Sequence, residues 1–159
     1  MLHCSLLSYS ATQLLSYSQM LLTTILCPVD FSPATAALVA YAAALAAGTG
    51  AELRLLHVQE PQPALRPAEA AAQLAHYQAA AESGGARTSS AVRQGEAAAE
   101  IVAEARRLAA DLIVIGTHGH TGLTRFLMGH TTEAVVRTAS CATLLVKPPA
   151  ALAAYRRSA

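Results

Sequence analysis

The stretch from Gly116 to Thr132, GTHGHTGLTRFLMGHTT, combines glycines, histidines and hydroxyl side chains in a way that suits contact with phosphate. It directly follows the apolar run Asp111–Ile115 and leads into a helix-like segment. Glycine lets backbone N–H groups approach an anion closely, and a helix N-terminus adds unpaired donors and a favourable dipole. The sequence therefore predicts an anion-binding loop between a strand and a helix.

Two common nucleotide-binding motifs do not fit this loop. A Walker phosphate loop needs GxxxxGK[ST] after the first strand, but here the first turn is PVDFSP and the only lysine is Lys147. A dinucleotide fingerprint needs GxGxxG on the first turn and an acidic residue about 20 positions later. Here Gly116, Gly119 and Gly122 have a different spacing and follow the fourth predicted strand, and the acidic residue is missing.

The elements that position the loop alternate between strand and helix along the chain. The predicted strands are Thr23–Val29, Glu52–Val58, Ala86–Arg93, Asp111–Ile115 and Ala142–Lys147. Ser32 and Pro33 predict the start of a first helix that ends at Gly48 and Gly50, and further helices are predicted over Pro67–Ser83, Glu96–Ala110 and Thr132–Ser140. The spacing of Leu38, Tyr41, Ala42 and Leu45 predicts the buried face of the first helix.

This alternation indicates an α/β fold, a five-stranded parallel doubly wound sheet with helices on both faces. Flavodoxin-like and closely related strand orders compete, and we favour 3-2-1-4-5. In that order the chain reverses direction between the first and fourth strands, and ligands bind outside the carboxyl ends of strands at such a point. Those ends are Val29–Asp30 and Ile115–Gly116, so the glycine loop falls where the fold itself predicts a ligand.

Length and composition narrow the class of protein. The chain has 159 residues, 53% of them hydrophobic, and a net charge of +1. This length favours a single domain, which we expect over 20–149. An N-terminal extension (1–19) would precede it and a C-terminal tail (150–159) would follow it. Scattered basic residues argue against nucleic-acid binding, and no apolar run reaches the ~20 residues that span a bilayer. Cys4, Cys27 and Cys141 have no metal-ligand spacing and fit a reducing, cytoplasmic compartment.

The glycines Gly116, Gly119 and Gly129 form the pattern G-x2-G-x9-G. Together with ILCPVDFSPA, LLHV, DLIVIGTHGHTGL and TASCATLLVKP, this pattern makes the chain resemble the universal stress protein family, in its ATP-binding branch, from about Leu22 to Pro148. The motif of that branch is G-x2-G-x9-G-[ST], and here His130 replaces the final Ser or Thr. The backbone donor survives that replacement, the hydroxyl is lost, and Thr131 and Thr132 offer hydroxyls nearby.

The resemblance implies a site for ATP or another adenine nucleotide, with Mg2+ or Mn2+ held through the phosphates rather than by protein side chains. Base and ribose would contact the ends of the first two strands, and the phosphates the glycine loop. The residues implied are Pro28, Val29, Asp30, Val58, Ile115, Gly116, His118, Gly119, His120, Thr121, Gly122, Gly129, His130, Thr131 and Thr132. The family resemblance also implies a homodimer that pairs through the strand Ala142–Lys147, and hence a stress-associated, nucleotide-dependent dimeric switch.

Three alternatives stay open at this point. The histidines His118, His120 and His130 suit zinc by residue type, but no cysteine or nearby carboxylate completes the set. A dimeric interaction module that has lost nucleotide binding fits the replacement at His130. An enzyme of the wider adenine-nucleotide-binding α/β group lacks a recognisable catalytic constellation, so any ATP hydrolysis would be slow.

Overall fold

A computed structural model describes residues 21–61, 66–117 and 128–147, and in these ranges strands and helices alternate. The strands are β1 (Thr24–Pro28), β2 (Glu52–Gln59), β3 (Arg87–Gln94), β4 (Leu112–Gly116) and β5 (Ala142–Val146). The helices are α1 (Thr35–Thr49), α2 (Pro67–Ser83), α3 (Ala97–Arg107) and α4 (His130–Thr138). The sheet has the order β3-β2-β1-β4-β5 and every neighbouring pair is parallel, which confirms the predicted fold and strand order.

The central strand β1 contributes side chains to both hydrophobic layers. Ile25 and Cys27 pack beneath α1 and α2, whereas Leu26 packs on the opposite face with α3 and α4. Successive side chains of a strand point to opposite faces, so a strand covered on both sides must be apolar at every position. This double burial explains the continuous apolar run that predicted the strand.

The start of α1 differs from the prediction. Ser32 was expected to cap the helix with Pro33 as its first residue, but α1 begins at Thr35 and its N-cap is Ala34. The backbone N–H of Ser32 donates to Asp30 Oδ1, and its carbonyl accepts from Thr35 N–H at 2.9 Å. The aspartate thus adds a turn before the helix, as short polar side chains often do.

Two further expectations about the helices were wrong in detail. Tyr41 is 52% exposed rather than buried, because Val39 and Ala43 complete the buried stripe of α1 and leave Tyr41 on its flank. The helix predicted over Thr132–Ser140 is α4, which begins two residues earlier, at His130. The remaining helix and strand limits differ from the predicted ones by a few residues, which is the usual uncertainty of helix and strand ends.

The described cysteines are packed as the sequence suggested. Cys27 is fully buried in β1, and this burial raises the pKa of its thiol to about 12. Cys141 is half-buried before β5, and burial raises its pKa as well. Cys4 lies outside the described residues, as do the whole of the expected N-terminal extension (1–19) and of the C-terminal tail (150–159). Within the described ranges, the helices are too short or too polar to cross a bilayer.

Candidate functional site

The crevice of the sheet lies where β1 and β4 end side by side. After β1 the chain turns to α1 on one face of the sheet, and after β4 it continues to α4 on the other face. Because the two connections leave in opposite directions, the carboxyl ends of these strands border an open crevice. Asp30 and Thr117 are the polar residues that follow the two strands at this edge.

Asp30 is anchored by the turn that leads into α1. Its Oδ1 accepts hydrogen bonds from the Ser32 N–H at 3.0 Å and from the Thr35 hydroxyl at 3.2 Å. The side chain is half-buried, so these bonds hold a carboxylate at the edge of the crevice. Asp30 therefore shapes this turn, in a position that also suits contact with a sugar hydroxyl.

An aromatic group packs beside this turn. Phe31 has a φ of 58°, which is uncommon for a residue other than glycine, and its ring centroid lies 4.3 Å from that of His57 and 6.3 Å from that of Tyr77. His57 Nδ1 lies 2.9 Å from the Val29 carbonyl oxygen, which only accepts, so Nδ1 carries the hydrogen. These contacts tie the ends of β1 and β2 together, with the half-buried Val58 next along β2.

The C-terminal end of the glycine loop is hydrogen-bonded to the end of β4. The Gly129 N–H donates to the Thr117 carbonyl at 2.9 Å, and the Thr132 hydroxyl donates to the Gly116 carbonyl at 2.8 Å. These two bonds fix the start of α4 beside the end of β4. The remaining loop residues of the predicted site lie outside the described residues; they are His118, Gly119, His120, Thr121 and Gly122.

The first turn of α4 offers backbone donors at the crevice. Its first intrahelical bond runs from the Glu133 N–H to the Gly129 carbonyl at 2.9 Å. The N–H groups of His130, Thr131 and Thr132 precede that bond and have no intrahelical acceptor, as in any helix. Glu133 itself lies in the first turn, where its negative charge interacts favourably with the helix dipole.

The hydroxyls near His130 differ in what they can contribute. The Thr132 hydroxyl already donates to Gly116 and its residue is only 5% exposed, so it does not replace the hydroxyl missing at His130. Thr131 is half-buried and His130 is exposed on the first turn. Of these two threonines, Thr131 is therefore the one whose hydroxyl could take the place of the one missing at His130.

Sequence reasoning set Lys147 aside because it is far from the glycine loop along the chain. The register pairs Gly116 with Val146, and the Thr117 N–H donates to the Val146 carbonyl at 3.1 Å. Lys147 follows directly and is exposed at the same edge of the sheet. Only the parallel pairing of β4 with β5 brings Lys147 to the edge of the sheet at which β4 ends.

The zinc interpretation gains no support from the described part of the chain. Within it, no three His, Cys, Asp or Glu side chains are grouped closely enough to hold a metal ion. His118 and His120 lie outside it, which leaves His130 as the described member of the predicted histidine set.

Comparison with known proteins shows which family this chain resembles. Over 69 residues the chain is 45% identical to universal stress protein MJ0531 of Methanocaldococcus jannaschii, a match that covers 43% of this chain and 41% of that protein. The matched segment thus spans less than half the length of this curated relative. The solved structure of universal stress protein UspA from Lactobacillus plantarum is 26% identical with a TM-score of 0.71, over 79% of this chain and 97% of that one.

A second solved structure shares the fold. It is the universal stress protein from Archaeoglobus fulgidus in complex with dAMP, 22% identical with a TM-score of 0.65, over 80% of this chain and all (100%) of that one. The family model described as "Universal stress protein family" matches residues 22–147, from the start of β1 to the end of β5. Since this match spans the whole sheet and both sides of the crevice, the chain belongs to the universal stress protein family.

Proposed function

We propose that this chain binds ATP in the crevice between β1 and β4. The observation that carries the proposal is the bond from the Gly129 N–H to the Thr117 carbonyl. It sets the N-terminus of α4 against the carboxyl end of β4, so that the first-turn donors lie across the crevice from Asp30. A helix N-terminus at a crevice of this kind is suited to phosphate.

The position of each group suggests how the nucleotide would lie. The adenine base would pack at the ends of β1 and β2, where Val29 and Val58 provide apolar surface, and the ribose would reach Asp30. The phosphates would follow the G-x2-G-x9-G pattern to the N–H groups of His130 and Thr131. The dAMP complex of the Archaeoglobus fulgidus protein supports an adenine nucleotide as the ligand class. Mg2+ or Mn2+ would be held through the phosphates.

The wider role that we propose is a dimeric regulator in which nucleotide occupancy is read by partners. The edge strand β5 supports a homodimer through Ala142–Lys147, because an unpaired strand edge is a template for pairing with a second copy. Leu145 on β5 is 39% exposed and Val136 on α4 is 41% exposed, so apolar surface accompanies that edge. A cytoplasmic location belongs to the same proposal.

A second candidate function rests on His130. The helix N-terminus keeps its backbone donors, but the hydroxyl expected after Gly129 is missing and the Thr132 hydroxyl is already bonded to Gly116. A chain of this kind would keep the fold and the β5 edge while serving as an interaction module without nucleotide. The two candidates differ in one measurable property, ATP affinity.

Isothermal titration of the full chain with ATP and Mg2+ separates these candidates. We expect saturable binding and a raised melting temperature, because a ligand that binds only the folded state stabilises it. Gly119→Val should abolish binding without unfolding the sheet. A matched control is Gly48→Val, since a Cβ at Gly48 meets nothing within 4 Å. No binding by the unaltered chain would support the interaction module, and binding by Gly119→Val would contradict the placement of the phosphates.

A further inference from the structure

Three arginines converge on one buried carboxylate away from the crevice. Arg54 comes from β2, Arg93 from β3 and Arg107 from the end of α3, and we call them the arginine cluster. Arg93 Nη2 lies 3.0 Å from Glu104 Oε2, Arg107 Nη2 lies 2.7 Å from Glu104 Oε1, and Arg54 Nε lies 3.5 Å from the same Oε1. Glu104 is 3% exposed, so it forms the inner end of the cluster.

The arginine cluster carries more positive charge than Glu104 neutralises. Hydrogen bonds from Arg107, and further bonds and charge from Arg93, lower the pKa of Glu104 to about 2, so it is ionised at neutral pH. Three guanidinium groups against one carboxylate leave an excess of two positive charges. Among the described residues, which include every Asp and Glu of the chain, no other carboxylate forms an ion pair with these arginines.

The arginines also keep hydrogen-bond donors for another acceptor. The Glu104 carboxylate accepts hydrogen bonds from Nε and Nη2 of both Arg93 and Arg107. The Nη1 group of each arginine does not bond to Glu104 and can donate to another acceptor. Arg54 Nε is buried without a hydrogen bond among the described residues. The three side chains are 20%, 39% and 52% exposed, so each guanidinium reaches the surface in part.

The surface beside the arginine cluster is formed by small side chains of β3. On β3, Ser89 and Ala91 lie on the same face as Arg93, four and two residues before it respectively, and all three are half-buried. Helix α3 packs over β2 on this face, while α2 packs on the opposite face of β3. Small side chains of β3 therefore border the arginines, and the Ser89 hydroxyl among them donates to Glu52 Oε1 at 2.7 Å.

We propose that the arginine cluster is a second anion site, which binds a phosphate group between the guanidinium groups of Arg54, Arg93 and Arg107. A phosphate dianion balances the excess of two charges, and its oxygens match the fork of an arginine in paired hydrogen bonds. Glu104 orients the arginines from below and leaves their outer donors to the ligand. The site is independent of the nucleotide crevice, because it lies on the β2–β3 side of the sheet under α3 rather than between β1 and β4.

The test is titration of the full chain with inorganic phosphate at constant ionic strength, followed by calorimetry and by 31P line broadening. We expect Arg93→Gln and Arg107→Gln each to weaken phosphate binding roughly tenfold, the equivalent of one charge-assisted hydrogen bond. Arg106→Gln and Arg87→Gln are matched controls with the same change of charge. Arg106 is an exposed neighbour of Arg107, and Arg87 is on β3 with its guanidinium bonded to the Gly50 carbonyl.

A second experiment tests whether phosphate binds at the arginine cluster rather than in the crevice, and which kind of phosphate compound binds there. Phosphate binding should survive in Gly119→Val, whatever that variant does to ATP affinity. Phosphoserine binding more tightly than inorganic phosphate would assign the site to monoesters, and the reverse order would assign it to the free ion. The proposal is overturned if the unaltered chain shows no phosphate binding, or if Arg107→Gln and Arg106→Gln bind phosphate equally well. Circular dichroism of each variant verifies that it is folded.

Discussion

The two ends of the β1–β4 pair each carry an aspartate, and the two aspartates serve different purposes. At the amino end, Asp111 Oδ2 accepts from the Thr23 N–H and hydroxyl, both at 2.8 Å, and from the Thr24 N–H at 3.1 Å. At the carboxyl end, Asp30 Oδ1 accepts two bonds within its own turn. Asp111 thus joins two strands that are distant in sequence, whereas Asp30 shapes the border of the crevice.

The difference follows from how the chain enters and leaves the two strands. At the amino end Asp111 lies directly against the start of β1, with its own N–H bonded to the Thr24 carbonyl at 3.0 Å, so the polar groups satisfy one another. At the carboxyl end the chain departs to opposite faces, and backbone donors of α4 remain at the opening. The same residue type therefore contributes mainly to stability at one end and, we expect, to ligand binding at the other.

The largest expected effect is on stability, from Asp111→Ala. Loss of the acceptor for three hydrogen bonds should lower the free energy of unfolding by about 2 kcal/mol, measured by urea denaturation. ATP affinity should not change, because the substitution is at the opposite end of the sheet. A variant that loses ATP binding while keeping its stability would contradict the proposed division between the two ends.

The same variant makes the pH dependence testable. The Thr23 N–H and hydroxyl and the Thr24 N–H lower the pKa of Asp111 in the folded state. Its contribution is therefore present above the unfolded pKa of about 3.9 and is lost as pH falls through the lower folded value. The stability difference between the unaltered chain and Asp111→Ala should accordingly shrink below about pH 4.

The next effect in size is on affinity, from Asp30→Asn. The amide oxygen can still accept from Ser32 and Thr35, so the free energy of unfolding should change by less than about 1 kcal/mol. Loss of the charged acceptor at the ribose should weaken ATP binding roughly tenfold in the calorimetric titration. An unchanged affinity would show that Asp30 belongs to the turn alone and that the two aspartates are alike.

The smallest expected effect comes from His130→Ser, which restores the hydroxyl of the family motif. One added hydrogen bond to phosphate should strengthen ATP binding roughly fivefold, since a single neutral bond contributes about 1 kcal/mol. His130→Ala is the control, because it removes the imidazole without supplying a hydroxyl. If the Ser and Ala variants bind ATP equally, the hydroxyl at this position does not contact the nucleotide.

The two ends of the β1–β4 pair also show which features of the fold could be predicted from the sequence. Continuous apolar runs such as those of β1 and β4 predicted the strands, because burial on both faces demands apolar residues throughout. The alternation of strands with helices favoured the strand order that is observed. The G-x2-G-x9-G spacing predicted the edge at which the candidate site lies. The start of α1 was missed because the Asp30 carboxylate accepts from the Ser32 N–H and forms a turn before the helix, and a side chain that bonds nearby backbone in this way competes with a helix start at Ser32.

The sequence by itself determined the α/β class and the membership of the chain in its family, since these depend on local periodicity and on motifs read in order. Among competing strand orders it favoured the one that the structure has. Only the tertiary structure decided that the Thr132 hydroxyl donates to the Gly116 carbonyl, that Lys147 lies at the edge of the sheet where β4 ends, and that three arginines surround Glu104. Each of these contacts joins residues from different elements. Their distances depend on strand register and helix packing, which no pattern along the chain specifies.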